Sequence, residues 1–393
     1  MSSKKQSAVK KSFLYPPSQI EENPSYDVSE KDVEVFKKII STELSEEQKK
    51  RILSPPMVYP KQLSVLGVHW HPEFVPMDLI MERIAATFPA RESELLIPTQ
   101  HNVILENDGF SGVEVDCYSP GFRRKVQLLF HFSTRKLEKK GDVFKAMCAH
   151  TQKYRASQLY EFIDSLLEPA FKDRVERAAE KTGAGAPLIE FVRAHVSRLK
   201  MMLDTYESIT PRDMIKNKII RNYFDALRDR YDDRLINHVK MFIRAVKKIM
   251  KANFALDYFY HTRDFIEEGR ALGAGIVIPH PEQFWPVLLD DLDVDGIEVW
   301  NPQSYEYTRF LIDVVHRKNK SRRRGERPLL ITMGDDTHMG EKVKDPRYQD
   351  REKAGREIGV QPYWDDLRIR KKLIVADQSR ERVIEEHRSR LKG

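Results

Sequence analysis

Apolar and polar residues alternate along this chain with two different periods. Seven short runs have strand length and are rich in Val, Ile and Leu: Leu63 to His69, Glu94 to Pro98, Gly112 to Cys117, Val126 to Phe132, Gly275 to His280, Gly296 to Trp300 and Leu329 to Met333. Each is bounded by Gly, Pro or polar residues, as strands are. Helical patterns follow several of them, as at Met77 to Phe88 and Tyr305 to Arg317. Strands alternating with helices predict a largely parallel sheet, and seven can close into a TIM-like barrel. From 137 to 272 the period lengthens to that of a helix and stays there. Val239, Phe242, Ile243, Val246, Ile249 and Met250 form one stripe, with Lys240, Arg244, Lys247, Lys248 and Lys251 on a neighbouring face.

The pattern divides the chain into a flexible basic arm (1–30), an N-terminal helix (31–56), a first barrel part (57–136), an all-helical insertion (137–272), a second barrel part (273–376) and a C-terminal helix (377–393). Ser29 is the candidate cap of the N-terminal helix, and Pro55-Pro56 closes it.

Composition narrows the setting. In 393 residues, 40% of them hydrophobic, there is material for a real core. Only Cys117 and Cys148 occur, which argues against a disulfide framework and for a reducing, cytoplasmic compartment. Met1 to Lys11 is basic and polar without an apolar stretch, so neither secretion nor membrane spanning is expected. The net charge of +7 is concentrated between Arg135 and Arg270, where 28 Lys plus Arg face 20 Asp plus Glu. A basic excess suits an acidic partner.

Metal chemistry is suggested by where histidines and carboxylates fall. His69 and His71 flank Trp70, and two residues at i and i+2 of a strand point to one face. His101, Glu114, Asp116, His131, His280, Glu298, Asn301, Asp335, Asp336 and His338 recur within or after later apolar runs. Such a series can deliver one or two ligands per strand end to a shared centre. Imidazoles with carboxylates favour Zn or Mn. His150, His195, His238 and His261 fall in the helical insertion without partner motifs and are read as ordinary helix residues. No Walker-type loop, dinucleotide-binding Gly motif or Ser/Cys nucleophile motif is present.

The ordered set resembles the PHP (polymerase and histidinol phosphatase) family of metal-dependent phosphoesterases. His69-Trp70-His71 is similar to the family's opening His-x-His, Thr99-Gln100-His101 to its Thr-Asp-His, and Gly112-Val113-Glu114 to its Gly-x-Glu. His131, His280-Pro281, Glu298 with Asn301, and Asp335-Asp336-Thr337-His338 match the later motifs in order. The resemblance implies a distorted (β/α)7 barrel and hydrolysis of a phosphate ester by a metal-activated water. It also implies two or three divalent ions, Zn or Mn, held by His69, His71, Glu114, His131, His280, Asp336 and His338. His101, Asp336 and His338 take the catalytic roles, and Glu298 and Asn301 either shape the substrate pocket or stand behind the ligands rather than bind metal. Two positions depart from the family: Pro76 stands where it has Asp, with Glu73 the substitute ligand and Asp78 nearby, and Gln100 replaces its second-motif Asp.

The substrate remains open at this stage between a phosphorylated small molecule and a nucleic-acid end. For either, Lys240, Arg244 and Lys247 are candidate phosphate-binding residues, and the run Arg317 to Arg327 is a second basic segment. A metal- or nucleic-acid-binding module without turnover, and a hydrolase of the amidohydrolase type, are the competing readings.

Overall fold

The computed structural model describes residues 24–323 and 325–392. Residues 1–23 of the expected basic arm, and Arg324 of the second basic run, lie outside the described residues. The described chain divides into two compact units. One combines the residues up to Ser41 with Arg155–Ala255, and the other combines Thr42–Tyr154 with Leu256–Gly393.

The first unit is helical. It contains Glu30–Ile40, Lys172–Thr182, Ala186–Thr205, Lys218–Ala226 and Asp233–Asn253. The apolar stripe read from the sequence is its packing face: Val239, Phe242, Ile243, Val246, Ile249 and Met250 are all buried. Asp32, itself buried, accepts from Arg198 at 3.0 Å and pairs with Arg230 at 3.4 Å, which ties Glu30–Ile40 to its neighbours.

The expected single N-terminal helix is two helices, Glu30–Ile40 and Glu46–Leu53. Ser29 with Asp32 and Ser45 with Gln48 each form a capping box, and Ser41 is extended. A second cap within the stretch starts a new helix and ends the first.

The second unit carries ten strands: β1 (Ser64–Gly67), β2 (Trp70–His71), β3 (Ser93–Leu96), β4 (Leu105–Asn107), β5 (Phe110–Ser119), β6 (Arg124–Ser133), β7 (Gly275–Ile278), β8 (Gly296–Trp300), β9 (Leu330–Met333) and β10 (Thr337–His338). They form three sheets: β1 with β3, β2 with β10, and a six-stranded sheet in the order β4-β5-β6-β7-β8-β9. The pairs β7/β8 and β8/β9 are parallel as expected, but β4/β5, β5/β6 and β6/β7 are antiparallel. The reason for β5/β6 is the turn between them, residues 120–123, which is far shorter than a parallel crossover. The sheet architecture is therefore mixed α/β, and its strand pairing is not one parallel cylinder of seven.

Between the sheet and its helices lies a core that includes Leu66, Val113, Leu128, Phe130, Ile276, Ile297, Ile331 and, from the last helix, Val383 and Ile384. A second core under β1 and β2 packs Trp70, Ile80, Ile84, Phe88 and Met339. These two cores fix the strand ends that carry the histidines and carboxylates.

Candidate metal centre

His69 and His71 do not share one unbroken strand. The chain bends at His69 between β1 and β2, yet the two rings approach edge to face with centroids 5.6 Å apart. The loop after β3 brings His101, whose backbone bridges to Glu114 on β5. That approach is possible because Gly112 has no side chain: a Cβ there would run into the Pro98 carbonyl and the Ile97 side chain. His280 follows β7, Glu298 lies on β8, and Asp336 and His338 follow β9. All come from the strand-bearing unit.

Three groups of side chains each converge closely enough to hold one ion: His71, His101 and His338; His69, His71 and Asp336; and His69, Glu114 and His280. Glu114 stands at their middle. Its Oε1 is 3.2 Å from His280 Nε2 and 3.9 Å from His69 Nε2, while its Oε2 is 2.5 Å from His101 Nδ1 and 3.6 Å from His71 Nε2. Asp336 plays a similar part, with Oδ1 at 3.3 Å from His71 Nε2, 3.4 Å from His338 Nε2 and 3.8 Å from His69 Nε2. Its other oxygen, Oδ2, accepts from Gln303 Nε2 at 2.9 Å and Arg356 Nη1 at 3.0 Å. One oxygen is anchored and the other is presented to three imidazoles.

Behind this layer, Glu298 orients two members. His69 Nδ1 lies 2.6 Å from Glu298 Oε2, and the backbone N–H of His280 donates to Oε1 at 3.1 Å. Asn301 Nδ2 donates to the same oxygen at 3.2 Å. A carboxylate on one ring nitrogen leaves the other nitrogen bare toward a cation, the arrangement that ligating histidines usually show. Gly334 permits it, since a Cβ there would collide with the Glu298 carboxylate and come within 2.8 Å of His69 Nδ1. Glu73, Asn102, His280 and Asp336 all have positive φ, between 28° and 56°. Such backbone is costly in non-glycine residues and collects where surrounding structure forces a functional geometry.

The residues present fit divalent cations. His69 Nε2 and His71 Nε2 are buried without a close hydrogen-bond partner, their nearest carboxylate oxygens lying 3.3 Å or more away, a condition that is expensive in a protein interior. Burial, helped by His338 and His101, pushes His71 down to about 3, so this imidazole is neutral as a ligand must be. Burial opposes charge on Glu114 and Asp336, but the surrounding histidines outweigh it and hold both carboxyls well below their usual range. His69 is the opposite case: burial opposes its charge, and Glu298, Asp336 and Glu114 overcome that to raise it to about 10. A cation bound among these carboxylates would supply the positive charge that a proton on His69 otherwise provides.

The structure does not gather every residue read from the sequence. His131 is buried outside the three groups: its Nε2 lies 2.9 Å from the Val68 carbonyl and its Nδ1 2.9 Å from His387 Nε2. Both nitrogens are engaged, so it braces β6 against the last helix. Glu73 reaches the centre's edge, with Oε1 3.5 Å from His338 Nδ1. It arrives there by a left-handed turn after Pro72 rather than along a continued strand. Asp335 points away and accepts from the backbone of Thr337 and Gly359. Glu298 and Asn301 are buried and bonded to each other, behind the ligands rather than open to a substrate. Lys240, Arg244 and Lys247 belong to the helical unit. There Lys240 pairs with Asp225 at 2.7 Å, and burial with Arg221, Arg244 and Arg155 lowers Lys247. Arg356, Gln303 and His387 were not visible in the sequence, because no motif or short spacing links them to the residues they touch.

No protein-family model matches the chain, and neither does any curated protein. Among solved structures, an amidohydrolase from Chromobacterium violaceum, determined with bound sulfate and no metal, is similar over 73% of this chain and 93% of its own, at 14% identity and a TM-score of 0.36. At that level of likeness the neighbour's activity does not carry over.

Proposed function

We propose that this chain is a metal-dependent hydrolase of phosphate esters, of PHP type. One observation carries the reading: three ligand groups overlap through His69 and His71 in a single buried cluster, with ring nitrogens left bare inside it. Ligands this close together suit neighbouring cations about 3.5–4 Å apart. His69, Glu114 and His280 would hold one ion and His71, His101 and His338 a second, with Asp336 Oδ1 beside both His69 and His71, since one ring nitrogen serves one ion. Zn or Mn suits the donor set of imidazole nitrogen and carboxylate oxygen.

When bound, such ions acidify water and neutralise charge on a phosphoryl group. The protein's own side chains have distinct tasks. Glu298 fixes the His69 ring, and Arg356 with Gln303 holds Asp336 so that Oδ1 faces the centre. His101 is partly exposed and lies against Glu114. It is a member placed to face a substrate. In this reading the three sheets are one distorted (β/α)7 barrel. Hydrogen bonds from Thr99 to Trp70, Glu114 to Gln100 and Asp336 to His69 link strand ends across the gaps between sheets.

The test joins composition to turnover. Purified protein is analysed for transition metals and assayed with phosphomonoesters in added Mn, beside the variants His71→Asn and Glu114→Gln. Bound metal and ester hydrolysis that both variants lose are expected. Stoichiometric metal with no phosphate released from any ester would sink the phosphoesterase reading, and failure to bind metal at all would sink the metal centre.

A further inference from the structure

Two helices of the strand-bearing unit form an outer surface that the metal centre does not use. Thr308–Ser321 buries Leu311, Ile312 and Val315, and Leu367–Val375 buries Ile369 and Leu373. Lys372 Nζ ties them together, meeting the two Asp313 carboxylate oxygens at 2.5 and 2.6 Å. On the opposite face of the shorter helix, Leu367 is 77% exposed, Ile374 68% and Val375 71%. These positions lie on one arc at about 100° per residue, and Arg370 and Lys371 fall among them with Arg368 at the edge. On the longer helix, Phe310, Arg317 and Lys320 share the stripe of Asp313, and Phe310 is 54% exposed.

Phe310 meets the Trp285 ring edge to face with centroids 5.6 Å apart, whereas Leu367, Ile374 and Val375 are left largely exposed. Arg317, Lys320, Arg368, Arg370 and Lys371 are all exposed, and none is paired with a carboxylate among the described residues. Three large aliphatic side chains standing clear of a helix, ringed by unpaired cations, mark an interaction surface rather than ordinary scatter.

The chemistry selects the occupant. A second copy docked by a two-fold axis would set these five cations against themselves, so a self-complementary dimer is disfavoured. A nucleic-acid backbone would satisfy the cations but give the projecting Leu, Ile and Val nothing to enter. An acidic protein would need apolar hollows matched to three side chains on a convex helix. The boundary of an anionic bilayer offers both components without any matched shape: negative headgroups for the cations and acyl chains for the aliphatics.

We propose that the paired helices Thr308–Ser321 and Leu367–Val375 dock the protein onto an anionic lipid surface, with Leu367, Ile374 and Val375 entering the headgroup boundary and the five cations lying over lipid phosphates and carboxylates. The attachment is peripheral, since no helix among the described residues is long and apolar enough to cross a membrane. It does not depend on the reaction at the metal centre.

Vesicle co-sedimentation of the full chain tests this. Vesicles of phosphatidylcholine alone are compared with vesicles containing phosphatidylserine, and the wild type with Leu367→Ser/Ile374→Ser/Val375→Ser and with Arg368→Glu/Lys371→Glu. The changed side chains are exposed, so both variants are expected to keep the wild-type melting curve. Binding should require phosphatidylserine and fall about tenfold or more in each variant, and added salt should release the protein. Equal binding to neutral vesicles, no binding to either kind, or binding retained in either variant would overturn the proposal. So would duplex DNA bound more tightly than anionic vesicles and released only by the charge variant, which would make this a nucleic-acid surface.

Discussion

Glu298 shows how much of the centre's geometry depends on residues that would never touch a metal. Its carboxylate meets His69 Nδ1 at 2.6 Å and also receives the His280 backbone N–H. Glu298→Gln keeps the shape but offers His69 a neutral partner. Affinity for Zn or Mn, measured by titration calorimetry, is expected to fall about 10–100-fold, the usual effect of removing a carboxylate behind a ligating histidine. His195 gives a residue-scale prediction of another kind. Burial, and then the charge of Arg198, hold this histidine down at about 3 in the helical unit, against an ordinary 6.5. The unfolded chain therefore binds a proton between those values while the folded chain does not, so stability falls as pH drops from about 6.5 toward 3. Melting temperatures of His195→Gln should decline less steeply through that window than those of the wild type.

At the scale of elements, the segment after β10 is the part least expected from the sequence, and it carries Arg356. That arginine reaches Asp336 because its neighbour is locked down. Glu357 accepts a bidentate pair from buried Arg83 at 2.8 and 2.6 Å, and its Oε1 is also 2.8 Å from Lys342 Nζ. Lys342 further donates to the Ala354 carbonyl at 2.9 Å and to that of Arg356. Removing the carboxylate alone leaves two cations buried together. Glu357→Leu is expected to cost about 3–5 kcal/mol in urea unfolding, whereas replacing Arg83, Lys342 and Glu357 together by apolar residues should restore most of it. If the single variant proves as stable as the wild type, the network is not what holds Arg356 in place.

For the whole molecule, the division into two units makes a prediction about where bound metal is felt. Every residue of the three candidate ligand groups lies in the strand-bearing unit, and none comes from Arg155–Ala255. A ligand stabilises what it binds by a term that grows with its concentration over its dissociation constant. Adding Mn or Zn should therefore slow hydrogen exchange in β1, β5, β7 and the segment around Asp336, while removal by a chelator reverses it. Exchange in Ala186–Thr205 and Asp233–Asn253 should not respond. Equal slowing in both units would mean that they open as a single cooperative body, contrary to this expectation.

The sequence by itself determined the alternation of strands and helices, the helical character of the insertion, and which histidines and acids sit at strand ends. Period and turn residues are local properties, and each is written in a few consecutive positions. The short connection from β5 to β6 excludes a parallel crossover and already dictated that pairing, but the long helical excursion between β6 and β7 left their direction open, and only the fold made it antiparallel. Nor could the sequence separate His131 from His280: both end or follow apolar strands, and only packing against Val68 and His387 takes the former out of the cluster. The roles of Gln303 and Arg356 likewise required the folded chain, as did the choice, for Glu298, of a place behind the ligands over one in the substrate pocket. A hydrogen bond between residues 20 or 229 positions apart, as from Arg356 to Asp336 or His69 to Glu298, leaves no trace in local pattern, because nothing in a few neighbouring residues specifies which distant group will arrive beside them.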